Sequence, residues 1–288
     1  MSVIEPEVKT DTSPGDAPFM WIEPSRGWGS LKLHEIWTYR ELLYFLIWRD
    51  VKVRYKQTFI GAAWAVLQPL AAMILFTLVF RMFIKIPSDG LPYPVFAYAA
   101  LLPWNFFSSG LNRSSSSLVG QAHLISKVYF PRLIVPLSAA LSGIVDFAIA
   151  FVLLIGMMVW LGFVPTWKVV TLPLFLLLAL LSALAVGLWM SALNVRYRDV
   201  GYTIPFLTQI LMFASPLFYP ISLVPEEWRL LYSLNPLVGI IDGFRWALLS
   251  TPEPDFTTVG VSALLVSLLL FGGAVYFKRM ERTFVDVV

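Results

Sequence analysis

Few side chains in this sequence of 288 residues could do chemistry. Asp146 stands midway along the apolar run Leu133 to Leu161, where a carboxylate costs about 2.5 to 3.5 kcal/mol on insertion scales. An acid at that depth is by default functional, and a proton relay is the reaction it would serve. The neighbouring apolar runs offer no basic residue at similar depth, while Ser138 and Ser142 lie one or two turns away. The expectation is therefore a hydrogen bond to another helix or a protonated carboxyl, with Asp146→Asn nearly harmless. Cysteine is absent, which removes thiolate catalysis and thiolate metal sites. The two histidines, His34 and His123, are far apart, so a histidine metal site is not expected. No G-x-x-x-x-G-K-[ST] phosphate loop occurs, so nothing here cradles ATP phosphates.

What remains is aromatic and basic. Met73, Phe76, Phe80 and Phe83 recur at helical spacing, as do Phe206, Ile210, Phe213 and Leu217. Before the first of these stripes, residues 33–57 carry Trp37, Tyr44, Trp48, Val51 and Tyr55 along one helical face, with Glu41, Arg49, Lys52 and Lys56 on another. A basic amphipathic helix with aromatic anchors lies in a membrane interface, and this one is also placed to cup a partner protein. The run Asn112 to Pro131, with Ser114 to Ser117, Gln121, Ser126 and Lys127, reads as a connector holding a short helix docked on another protein. Asn194-Val-Arg-Tyr-Arg-Asp199 is compact, basic and aromatic.

The elements that position these residues are membrane helices. Hydrophobic residues make up 58% of the chain and charged residues only 14%, against roughly 25% charged in soluble domains. Lipid is the solvent such a surface needs, at about 20 apolar residues per span. Six spans are expected: Phe59 to Phe80, Val95 to Leu111, Leu133 to Leu161, Val169 to Leu193, Ile204 to Leu217 and Val259 to Phe277. Trp228 to Leu249 carries too many polar and breaking residues to face lipid, and is expected to be a periplasmic re-entrant hairpin broken near Asn235-Pro236; the alternative is a seventh full span, which would put the termini on opposite sides. The expected fold is thus an all-α membrane protein of six transmembrane helices, an N-terminal amphipathic interface helix (33–57) and that hairpin. Residues 58–282 form a single transmembrane domain, flanked by a disordered cytoplasmic tail (1–32) and a short cytoplasmic C-terminus (283–288). With six spans, sixteen basic residues fall on one side and five on the other, which places both termini in the cytoplasm. The net charge of +3 and pI near 9.1 reflect that bias rather than a nucleic-acid partner.

Several short runs, in order, resemble the permease subunits of ABC-type polysaccharide exporters, of the kind that move O-antigen, capsule or teichoic acid precursors. They are Arg54-Tyr-Lys-Gln-Thr58 followed by Gly61, Trp64, Gln68 and Pro69; Leu102-Pro-Trp104 with Phe106-Phe107; and Lys127 with Phe130-Pro131. Asn194-Val195 with Arg198-Asp199, Ser215-Pro216 with Tyr219, and Asn235-Pro236 continue the series, so the likeness spans about Leu33 to Arg282.

The resemblance implies a homodimer in the bacterial inner membrane, bound to two copies of a separate ATP-binding subunit that holds ATP and Mg, with no cofactor in this chain. It implies that subunit docking falls to Arg49, Lys52, Arg54, Lys56, Gln121, Ser126, Lys127, Arg198 and Asp199. It also places the two aromatic stripes around the path of a lipid-linked glycan, with Met73, Phe76, Phe80, Phe83, Phe206, Phe213 and Tyr219 as lining, since aromatic faces stack on sugar rings. The alternatives are an exporter of lipid or drug, a proton-coupled transporter using Asp146, or a membrane enzyme acting on lipid-linked sugar. The second calls for internal repeats and the third for clustered acids or histidines, and neither is present in the sequence.

Overall fold

The computed structural model describes residues 33–56, 62–163, 166–197 and 199–281. The tail, the C-terminus after 281, Arg198 and the expected start of the first span lie outside the described residues. All regular structure among the described residues is helical. The order is α1 (Leu33–Thr38), α2 (Arg40–Lys56), α3 (Ala62–Phe76), α4 (Tyr93–Gly120), α5 (Ala122–Lys127), α6 (Ile134–Leu141), α7 (Gly143–Trp160), α8 (Leu172–Arg196), α9 (Val200–Phe213), α10 (Glu226–Tyr232), α11 (Pro236–Leu249) and α12 (Phe256–Met280). Four helical stretches are long and apolar enough to cross a membrane: Ala63–Phe83, Ile134–Trp160, Trp167–Arg196 and Phe256–Met280.

The centre is α4, whose largest contact is with α8. Its side chains from Tyr93 to Leu118 are mostly buried, although Pro103 sits inside it and serines crowd its second half. Sequence periodicity ends this span at Leu111, but the helix runs nine residues further, to Gly120. The serines explain the difference. Ser115 donates to the carbonyl of Leu111 at 2.6 Å, Ser116 to Asn112 at 2.9 Å and Ser117 to Ser114 at 2.7 Å. Their hydroxyls are satisfied inside the helix, so a run that looks like a polar connector packs as helix.

Close approach of α4 and α8 depends on small residues. A Cβ on Gly187 would lie 2.6 Å from Ser114 Oγ and 2.9 Å from Ser114 Cβ, and one on Gly110 would meet Ala183 at 3.2 Å. Positions 110 and 114 thus face 183 and 187, a small-residue spacing that lets two backbones approach within a membrane. Gly243 admits the ring of Phe175 in the same way, and Gly273 the indole of Trp189, binding α11 and α12 to α8.

Around one end of this bundle, Leu46 of α2, Leu118 of α4, Ile125 of α5, Ile134 of α6, Val195 of α8 and Phe277 of α12 form a buried cluster. The other face of the α1–α2 segment, with Trp37, Tyr44 and Trp48, is exposed, as a membrane-surface anchor requires. At the opposite end of α4, Arg245 of α11 is only 2% exposed. Its guanidinium lies 3.6 Å from the centroid of the Phe96 ring and donates to the carbonyls of Phe96 (3.4 Å), Tyr219 (3.3 Å) and Leu217 (3.0 Å). Arg245 therefore pins the segment after α9 to α4 and α11, and is not the water-facing charge that a loop there would carry. Asn235 caps α11 by accepting from the Leu237 amide at 3.1 Å, and its own amide donates to Ala214 O and Ser215 Oγ, both at 2.9 Å.

Two substitutions separate these contacts in detergent-solubilised protein. Gly187→Leu is expected to cost about 1 to 3 kcal/mol by overpacking α4 against α8, read as a lower thermal unfolding midpoint. Gly156→Ala, with open space around the new methyl, is expected to leave the midpoint unchanged or slightly raised.

Candidate functional site

The last turn of α2 carries Arg54 and Tyr55 to the first turn of α7, where Asp146 projects, and α4 brings Arg113 to the same point. Asp146 Oδ2 accepts from Arg54 Nη1 and from Arg113 Nη1, the latter at 3.0 Å, while Oδ1 accepts from the Tyr55 hydroxyl. The arginines are themselves braced. Arg54 Nη2 donates to Ser142 Oγ at 3.2 Å, and Arg113 donates through Nη2 to Ser109 Oγ at 2.7 Å and through Nε to Ser109 O at 3.2 Å. Burial, and then Asp146 beside it, push the Tyr55 phenol up to about 12, so it stays a donor at neutral pH.

This overturns the expectation that Asp146 has no basic partner. Both partners were legible as residues and hidden as neighbours. Arg54 lies on the helix before the first span, 92 positions away. Arg113 was assigned to a connector that is in fact the second half of α4. A further signal was available in Gly143: a Cβ there would stand 2.7 Å from Arg113 Nη2.

The cluster opens into a cavity of about 880 Å³ between α2, α3, α4 and α7. Its walls combine the ionic groups with Asn105, Ser108, Asn112 and Gln68, and with the apolar surfaces of Trp64, Pro69, Leu102, Phe106 and Phe147. Side-chain exposures of 29% for Arg54, 23% for Arg113 and 28% for Asp146 leave all three within reach of whatever enters. Charged groups at membrane depth line cavities and mark pathways. Two guanidiniums sharing one carboxylate leave one net positive charge, and planar guanidinium forks suit oxyanions.

The aromatic stripe of the first span does not stay on one face. Helix α3 passes into a π-helix over Thr77–Phe83, which changes the rotation per residue. Met73 is buried, Phe76 and Phe80 each place their ring centroid 4.6 Å from that of Phe218, and Phe83 is 80% exposed, turned away from them. Phe213, at the end of α9, joins Phe218 at 5.9 Å. The resulting cluster of Phe76, Phe80, Phe213 and Phe218 is a cross-helix contact, and Phe218 was missed because it stands beyond the helical stripe of α9. Phe206 remains exposed, and Tyr219 shares a 2.8 Å hydroxyl contact with Tyr232 of α10.

Among the residues assigned to docking, Lys52, Lys56, Ser126, Lys127 and Asp199 are exposed. Arg49 is half-buried against Asp50 at 2.8 Å, and Gln121 is half-buried at the break between α4 and α5. Arg54 differs from the rest, since it turns into the bundle toward Asp146. Tyr129, 75% exposed beside Lys127, joins the exposed surface.

Comparison with known proteins places this architecture. The chain is 28% identical over 260 residues to the O-antigen export system permease protein RfbA of Myxococcus xanthus, covering 89% of this chain and 98% of that protein. It is 23% identical over 243 residues to the polysialic acid transport protein KpsM of Escherichia coli, covering 82% of this chain and 92% of that one. It is 28% identical over 212 residues to the inner membrane transport permease YadH of Escherichia coli K12, covering 69% and 81%. The family model for ABC-2 type transporters matches residues 41–249, which contain Arg54, Arg113, Asp146 and the whole of the cavity wall. This chain, a multi-pass helical membrane protein, belongs to the ABC-2 type transporter family.

Proposed function

We propose that this chain is the membrane-spanning permease subunit of an ATP-driven exporter of lipid-linked polysaccharide in the bacterial inner membrane. The observation that carries this reading is its likeness, over nearly their whole length, to permeases named for O-antigen export and polysialic acid transport. Power comes from a separate ATP-binding subunit, with which ABC-2 permeases normally work and which binds ATP and Mg. Two copies of that subunit serve a homodimer of this chain. The exposed residues of α2, Ser126 to Tyr129 and the start of α9 form the docking surface, and α2, α5 and α8 also contribute to one buried cluster.

Helices α4 and α9 complete six spans with the four long apolar stretches, and α10–α11 forms a periplasmic hairpin. Both termini are cytoplasmic. The glycan passes between copies along the outward faces of α3 and α9, where Leu67, Ile74, Leu75, Phe206, Ile210 and Phe213 are exposed in the single chain.

Topology is testable without removing any native thiol, because the chain has no cysteine. In intact cells, cysteine at Glu226 is expected to react with a membrane-impermeant maleimide, whereas cysteine at Ser126 reacts only after the membrane is opened. The reverse pattern would invert the assignment. Function is read by deleting the gene together with a complementing copy. Surface glycan should disappear, its lipid-linked form should accumulate inside, and restoration should require an ATP-binding subunit with an intact phosphate loop. Normal surface glycan in the deletion strain would end the proposal.

A further inference from the structure

Ser126, Lys127, Val128 and Tyr129 form an exposed corner at the end of α5. Helix α5 has six residues, too few to hold its own shape, so the corner is held at its roots. On either side of it, Ile125 and Phe130 are sunk into the cluster that also contains Leu46 and Phe277. Apolar burial carries no direction, so it sets the depth of the corner and not its orientation. Direction comes from Arg132, just beyond Phe130. Its Nη1 donates to the main-chain carbonyl of Glu281, the residue that caps the end of α12, and Glu281 Oε1 accepts from the Arg132 amide at 3.5 Å. The other carboxylate oxygen is held by Lys278 Nζ at 2.7 Å. A helix end leaves carbonyls without partners inside the helix and favours a cation. Arg132 meets both needs, so the end of α12 and the root of the corner hold each other.

We propose that Arg132 and Glu281 are positioning residues: their reciprocal contact makes the end of α12 the stay that orients the Ser126–Tyr129 corner for the ATP-binding subunit. Docking as the purpose of that orientation rests on the proposed function, whereas the hold of α12 on the corner does not. With the contact intact, a push on Lys127 and Tyr129 is passed to α12 and to the buried cluster behind it. Without it, Ile125 and Phe130 stay buried while the corner turns.

The first measurement needs no partner. The chain has no cysteine, so Ser126→Cys and Lys52→Cys accept nitroxide labels in the purified full-length protein, and double electron–electron resonance reads the distance between them. A single narrow distance is expected, and Arg132→Ala or Glu281→Ala is expected to raise the population at other distances about tenfold, as loss of a charge-assisted hydrogen bond does. Arg132→Lys keeps the charge without the planar fork and covers the case in which the alanine variants fold poorly; a several-fold rise is expected there. An unchanged narrow distance in Arg132→Lys and in every folded alanine variant would overturn the hold. The second measurement is surface glycan in a deletion strain complemented with each variant at equal membrane abundance. The alanine variants are expected to lower it several-fold, and Glu281→Gln, which retains an oxygen for the Arg132 amide, to restore most of it. Full export with the corner released would overturn the positioning role. Normal glycan in the uncomplemented deletion strain would instead strike the proposed function, and the distances would still decide the hold of α12 on the corner.

Discussion

A single carboxylate joins three parts of this molecule that sequence separates. Asp146 sits at the start of α7, and its two oxygens gather Arg54 and Tyr55 from α2 and Arg113 from α4. An isolated charge in hydrocarbon is expensive, and so is a pair of neighbouring guanidiniums. Together they offset one another, with Arg54 further tied to Ser142 and Arg113 to Ser109. The consequence is mechanical. Helix α2 cannot move freely against the bundle while Arg54 is held inside it. On the proposed reading, force applied by an ATP-binding subunit to the exposed face of α2 therefore reaches α7 and α4 through that carboxylate.

The remainder of the bundle supplies a rigid frame for this linkage. Helix α4 is packed on α8 by facing small residues, and the hydroxyls of Ser115, Ser116 and Ser117 donate to its own carbonyls. Arg245 performs a different task at the far end of α4. It has no carboxylate within ion-pair distance among the described residues, and instead collects three carbonyls and an aromatic face. Carbonyl oxygens at the ends of broken helices need donors when buried, and one guanidinium supplies several at once. The two arginine sites thus differ in kind: one is enclosed and structural, while the other opens on a cavity.

Much of the fold was legible from hydropathy, and the residues that escaped show why. Apolar runs of adequate length mark Ile134–Trp160, Trp167–Arg196 and Phe256–Met280 directly, since burial in lipid selects composition. Helix α4 was cut short because its serines read as polar, although intrahelical bonds take up the hydroxyls of Ser115, Ser116 and Ser117. The stripe from Met73 to Phe83 was drawn on a regular 3.6-residue wheel, and the π-helix over Thr77–Phe83 breaks that wheel. Phe218 and Arg245 enter their sites through tertiary contacts that no local spacing encodes. Asp146 was correctly singled out by its depth, yet its meaning depended on two arginines brought in from other elements. Periodicity records which face a residue occupies within its own helix, and the site is a property of which helices meet.

The account turns on the claim that Asp146 couples α2 to the bundle through Arg54, and a double-mutant cycle measures that coupling. Thermal unfolding of the purified chain would be compared for the parent, Arg54→Gln, Asp146→Asn and the double variant, at low and at high salt. An interacting pair predicts that each single change is destabilising and that the double variant costs less than their sum by about 1 kcal/mol or more, with only modest weakening by salt. Strictly additive effects would show that the two side chains act independently, and would contradict the linkage on which this reading of the structure stands.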